Sequence, residues 1–176
     1  NSIIELTKDS LVSVLEFEEA EVFYRQLLKK YQYSWVYLGY AKALLKQGRL
    51  DEISDMLKNL VNKPETRFGA HDMMAQYFIE QEQYQQAYEE IKKAMELAPR
   101  NIERNKKSWD LARLTHDYKG QFLATRNIAQ QAKNSIHDSP ELILNVIRAG
   151  IDLVCSTPDE SADAILQQTE RYINQL

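Results

Sequence analysis

Cysteine is almost absent from this chain of 176 residues: Cys155 stands alone, so no disulfide can close within it. At the end of a mostly apolar run that begins at Ile151, Cys155 reads as a buried thiol in a reducing cytosol. No His-containing motif accompanies it, which argues against a catalytic nucleophile. Proline and glycine are scarce, at four and five residues. Leu, Ala, Glu, Gln and Lys are plentiful and lose little entropy in a helix, so the composition favours an all-α fold. No apolar run approaches the ~20 residues of a membrane span, and no charged-then-apolar signal segment opens the chain. A cytoplasmic protein without a membrane partner is expected. Positive charge is not in excess: 22 Lys and Arg face 26 Asp and Glu, a net charge of −4. That balance removes the general case for nucleic-acid binding. The three histidines, His71, His116 and His137, lack companions at metal-ligand spacing. No phosphate-cradling glycine loop, nucleophile elbow or paired catalytic carboxylates occur. No catalytic, cofactor or metal residue is therefore expected, and the chain reads as a non-enzymatic one. It begins with Asn1 instead of methionine, which suggests a domain of a longer protein.

What the sequence does contain is a pattern that recurs after 34 residues. Leu57 matches Ile91, Ile53 matches Ala87, Leu50 matches Tyr84, and Ala41 matches Ala75. A fixed period of this length marks stacked helix–turn–helix units. In residues 68–101, Met74, Ala75 and Phe78 fall on a first helix. Tyr84, Ala87, Ile91 and Ala94 form one apolar stripe on a second, and Pro99 stops it. In residues 34–67, Tyr37, Tyr40, Ala41 and Leu44 line the first helix and Gly48 supplies the turn. Leu50, Ile53, Leu57 and Leu60 line the second, which Pro64 ends. Earlier, Phe17, Ala20, Tyr24 and Leu27 repeat the second-helix stripe. A first helix over residues 3–15 would carry Lys8 where a small residue belongs. After residue 101 the spacing drifts: Leu111 and Ala112 fit the seventh and eighth places of a further first helix, and Gly120 reads as its turn. Phe122, Ala124, Ile128 and Ala132 follow as a stripe. A loop at residues 137–140 precedes a helix capped by Ser139, with Pro140 at its first position, running to about Val154. Thr157 and Pro158 open a final helix ending near Leu176.

With Met74, Ala75, Phe78, Tyr84, Ala87, Ile91, Ala94 and Pro99 on signature places, residues 68–101 resemble the tetratricopeptide repeat. The resemblance implies a right-handed α-solenoid of about five antiparallel helix pairs with degenerate ends. Its pairs would be a degenerate 1–31, then 34–67, 68–101, a divergent 102–136, and a C-terminal 139–176. Residues 97–127, LAPRNIERNKKSWDLARLTHDYKGQFLATRN, are similar to the C-terminal repeat region of certain bacterial two-component response regulators. That implies the output or adaptor half of a signalling protein whose receiver domain lies upstream.

In the repeat family the concave, partner-binding positions are the second, fifth, ninth, twelfth and thirteenth of each first helix. Carried over, these are Trp35, Leu38, Lys42, Leu45 and Lys46, then Gly69, Asp72, Gln76, Ile79 and Glu80. With Ala112 as eighth place, the third set is Lys106, Trp109, Arg113, His116 and Asp117. Trp35, Leu38, Lys42, Lys46, Asp72, Gln76, Trp109 and Arg113 are the candidate contacts for a protein or peptide partner, since Trp and Arg are rich in binding hot spots. The competing reading packs Trp35 and Trp109 between helix pairs. The family's carboxylate-clamp residues are mostly missing at Leu38, Lys42, Asp72 and Gln76, which disfavours a chaperone-tail receptor. Arg100, Arg104, Lys106, Lys107 and Arg113 form a basic cluster, against an acidic Glu16, Glu18, Glu19 and Glu21; solvated helix faces explain most such runs. Self-association is the alternative function, a homodimer built through Ile143, Val146 and Ile147.

Overall fold

The computed structural model describes residues 17–133, 139–157 and 162–174. Among these are nine α-helices and no strand, and the fold class is all-α. The expected helix over residues 3–15 lies outside the described residues, as do Glu16, His137 and Pro158. The chain divides into two compact units, Asn1–Leu97 and Ala98–Leu176.

The first unit holds α1 (Phe17–Lys30), α2 (Ser34–Lys46), α3 (Leu50–Val61), α4 (Arg67–Glu80) and α5 (Tyr84–Leu97), each packed on the next. Ala20, Tyr24, Val36 and Ala43 form the core where α1 meets α2. Ala41, Leu44, Leu45, Ile53, Leu57, Leu60 and Ala70 form a second core beneath α2, α3 and α4. The paired positions behave alike: Ala41 and Ala75 are fully buried, and so are Ile53, Ala87 and Ile91. Small residues belong there because a longer side chain would hold the helices apart. Gly39 meets the same need. A β-carbon on it would collide with the ring of Tyr24, which is itself fully buried.

The second unit holds α6 (Ile102–Leu114), α7 (Tyr118–Ala132), α8 (Pro140–Ser156) and α9 (Ala162–Ile173), again packed in succession. The expected stripe of Phe122, Ala124, Ile128 and Ala132 is buried, as are Leu111 and Ala112. Asn101 caps α6 by accepting from the Arg104 amide at 2.9 Å, and Asp117 caps α7 by accepting from Gly120 at 2.8 Å.

Three turns explain the period. Gly48, Glu82 and His116 stand 34 residues apart, and all have left-handed φ, at 72°, 58° and 56°. In each, the next amide donates back to a carbonyl five residues earlier: Arg49 to Leu44 at 3.1 Å, Gln83 to Phe78 at 2.9 Å, Asp117 to Ala112 at 2.9 Å. This is one helix-ending turn made three times. The spacing therefore does not drift at residue 101; α3, α5 and α7 begin at residues 50, 84 and 118. Extra residues enter only after Ala132.

Four expectations need correcting. Gly120 is not the turn: it lies inside α7, and His116 takes the left-handed position. Cys155 is exposed, not buried. The inward side of α8 carries Val146, Ala149, Gly150 and Leu153, and a residue two places past Leu153 is about 200° further round the helix. Ile143, Val146 and Ile147 do not form an exposed dimer face. Val146 is fully buried, Ile143 packs partly buried against the Phe122, Ala129 and Leu153 core, and Ile147 is half-buried. Ser139 precedes α8 with Pro140 at its first turn, yet the serine side chain makes no capping bond.

Candidate protein-binding site

On α2, Trp35, Leu38, Lys42 and Lys46 recur at three and four residues, so they share one face. Trp35 is half-buried against Ala20, Tyr24, Val36 and Ala43. Its ring lies nearly parallel to Tyr33 at 6.5 Å, and Tyr33 stacks on Tyr31 at 5.9 Å. Both tyrosines are exposed, so the tryptophan ends a short row of solvent-facing rings. Leu38 packs against the α2–α4 core, where Gly69 allows close approach: a β-carbon there would lie 3.3 Å from Leu38 Cδ1. Lys42 and Lys46 are exposed. Asp72 and Gln76 are half-buried one turn apart on α4, and Gln76 donates to Glu80 at 2.7 Å. Leu45 is buried in the core and closed to a partner.

In the second unit, Trp109 and Arg113 stand one turn apart on α6, with the exposed guanidinium 5.6 Å from the indole ring. Trp109 lies 34 residues after Ala75 and 68 after Ala41, so it occupies the small place and Ala112 falls three places later. A tryptophan cannot be enclosed where two alanines are fully buried. It remains half-buried instead and walls a groove of about 200 Å³ with Lys106 and Asp110 of α6, Thr125 and Ile128 of α7, and Leu142 and Asn145 of α8. Lys106 pairs with Glu103 at 2.8 Å. The basic cluster does not form a single face, because Arg104 is buried and donates to the Ala98 carbonyl at 2.8 Å.

Two buried polar clusters escaped sequence reasoning. Glu21, on α1, accepts from Gln47 at 3.1 Å and pairs with Arg25 and Arg49. Burial pushes its carboxyl upward, but the hydrogen bonds from Gln47 and Arg49 and the two arginine charges outweigh it. The result lies below the ordinary carboxylate value. His71 of α4 meets Glu90 of α5 at 2.6 Å, both buried, and Lys93 also reaches Glu90 at 2.7 Å. The sequence signal for each was a charged residue on an otherwise apolar stripe, with its partner 19 to 28 residues away. No group of three His, Cys, Asp or Glu that could hold a metal occurs among the described residues.

No protein-family model and no curated protein matches the chain. Among the described residues, no helix is long and apolar enough to cross a membrane.

Proposed function

We propose that this chain is a protein–protein interaction module of the tetratricopeptide type, a right-handed solenoid of about five helix pairs. The observation that carries the reading is the Trp109 groove. A half-buried indole with a guanidinium near its ring borders a cavity whose wall is mostly apolar and whose rim carries Lys106 and Asp110. Such a slot suits an apolar side chain of an extended peptide, with charge at the rim setting its register. In the first unit, considered by itself, the exposed Lys42 and Lys46 of α2 suit acidic residues of a protein partner. The partner is a protein or peptide, and neither a cofactor nor nucleic acid enters the reading.

From the resemblance of residues 97–127 to response-regulator output regions, the module serves as the adaptor half of a two-component signalling protein, in the cytoplasm. Phosphorylation of an upstream receiver would then control access to the groove. The alternative, a self-association scaffold through Ile143, Val146 and Ile147, is weakened because Val146 is fully buried and Ile143 packs against its own core.

The test is affinity capture from lysate with the wild-type chain and with Trp109→Ala, Arg113→Glu and Lys42→Glu tested separately, followed by titration of the captured protein. Loss of the same partner from Trp109→Ala and Arg113→Glu, by about tenfold or more in Kd, supports the groove. Equal affinity of all variants overturns it.

A further inference from the structure

A helix that packs on one side needs one apolar stripe, and α9 carries two. Ile165 and Tyr172 turn inward, against the core of Phe122, Ala129, Val146, Ala149 and Leu153. Leu166 and Ile173 each stand one place further along, about 100° round the helix. They remain 46% and 51% exposed, and Ile151 of α8 remains 48% exposed. All three line one groove of about 390 Å³ between α8 and α9. Two exposed carboxylates interleave with them: Asp163, Leu166, Glu170 and Ile173 follow at three, four and three residues along one face of α9. Among the described residues no lysine or arginine lines the groove. Arg148 of α8 pairs with Glu141 at 3.1 Å, and Arg171 lines the other flank of α9, beside Arg126 and Gln130. Arg171 is the one basic residue after Arg148, whereas Asp152, Asp159, Glu160, Asp163 and Glu170 are acidic.

Apolar surface framed by charge of one sign marks a docking surface, and the sign selects the partner. The furrow between two packed helices accepts a third, because the side-chain ridges of one helix fit the grooves of others. Leu166 and Ile173 lie two turns apart, the spacing at which a docked helix presents anchors at i and i+7. A second copy of the same face is disfavoured, since a two-fold contact sets Asp163 and Glu170 against their own equivalents. We propose that the α8–α9 groove docks a basic amphipathic helix of a partner protein. Its apolar stripe covers Ile151, Leu166 and Ile173, and its lysines or arginines meet Asp163 and Glu170. The surface is separate from the Trp109 groove, whose α8 wall is Leu142 and Asn145.

The test is a titration of the whole chain with a synthetic helix of leucines on one stripe and lysines elsewhere, followed by calorimetry and amide NMR shifts. Two control peptides accompany it: one with glutamate for every lysine, and one of identical composition in an order that breaks the stripe. Saturable one-to-one binding of the lysine helix is expected, with shifts at Ile151, Leu166, Glu170 and Ile173, and both controls at least about tenfold weaker. Leu166→Gln and Ile173→Gln each weaken it about tenfold or more, and melting curves establish that both variants fold. The double variant Asp163→Asn/Glu170→Gln lowers affinity and flattens its dependence on salt. Asp51→Asn/Glu96→Gln, an equal charge change on other helices, leaves both unchanged. Trp109→Ala also leaves the affinity unchanged, so failure here is distinct from failure of the Trp109 groove. Equal binding of either control peptide, or wild-type affinity in Leu166→Gln, overturns the proposal. So does a wild-type dimer in sedimentation that Leu166→Gln abolishes, which assigns the groove to a second copy.

Discussion

Glu21 shows how one buried side chain can tie together segments distant in sequence. Its carboxylate receives Gln47 and Arg49, from the turn after α2 and the entry to α3, and Gln47 also donates to the Phe17 carbonyl at 3.1 Å. Because the folded-state pKa is depressed, the stability it contributes is complete above the ordinary carboxyl value of 4.5 and is lost as pH falls through the lower folded value. Thermal midpoints of wild type and Glu21→Gln followed downward from pH 7 should therefore converge in acid. At neutral pH the variant should be less stable by about 1–3 kcal/mol, the scale of a lost charged hydrogen-bond acceptor. Parallel curves at all pH values would contradict this account. The same residue had counted, from the sequence, as one of a run of surface acids. Its face on α1, one place after the fully buried Ala20, decided otherwise.

At the scale of elements, the repeating unit is the turn as much as the helix. Gly48 adopts left-handed φ without a β-carbon, whereas Glu82 and His116 adopt it against the steric preference of L-residues. Glu82→Gly and His116→Gly should each stabilise the protein by about 0.5–1 kcal/mol, strain relief exceeding the added unfolded-state entropy. That amounts to a rise of roughly 2–4 °C per kcal/mol in thermal midpoint for a chain of this size. Gly48→Ala should lower it by a comparable amount. Differential scanning calorimetry on the three variants checks the sign at each turn. Within the second unit, the segment that leads into α6 is held by side chains of α6 and α7. Asn105, fully buried, donates to the Pro99 and Asn101 carbonyls at 3.2 and 2.9 Å, and Gln131 donates to Pro99 at 3.2 Å.

At the scale of the molecule, each unit buries one face of every helix and leaves charged and aromatic residues outside. A binding role needs such a surface; on α8 the fully buried Val146 faces the core, while Ile151 stays exposed. Val146→Asp places a carboxylate where the side chain is fully buried. It should destabilise the protein by about 2–5 kcal/mol, and it should lower the thermal midpoint equally at every protein concentration. Sedimentation and melting across a concentration series would reveal a dimer instead, as a midpoint that rises with concentration in the wild type and loses that dependence in the variant.

The helical class, the 34-residue spacing within residues 34–101 and the order of helices from residue 17 onward were legible in the sequence. They rest on local chemistry: apolar residues at three and four, small residues at crossings, prolines and left-handed turns at the ends. The face of each helix that is buried was legible where the stripe was clean, as in Ile53, Leu57 and Ile91. It was misread at Cys155, Ile143 and Val146, because there the sequence names an apolar segment without naming the direction from which the neighbouring helix arrives. The Trp109 groove and the His71–Glu90 pair were decided by tertiary structure alone. Each joins side chains from different helices, which spacing along a single helix does not encode.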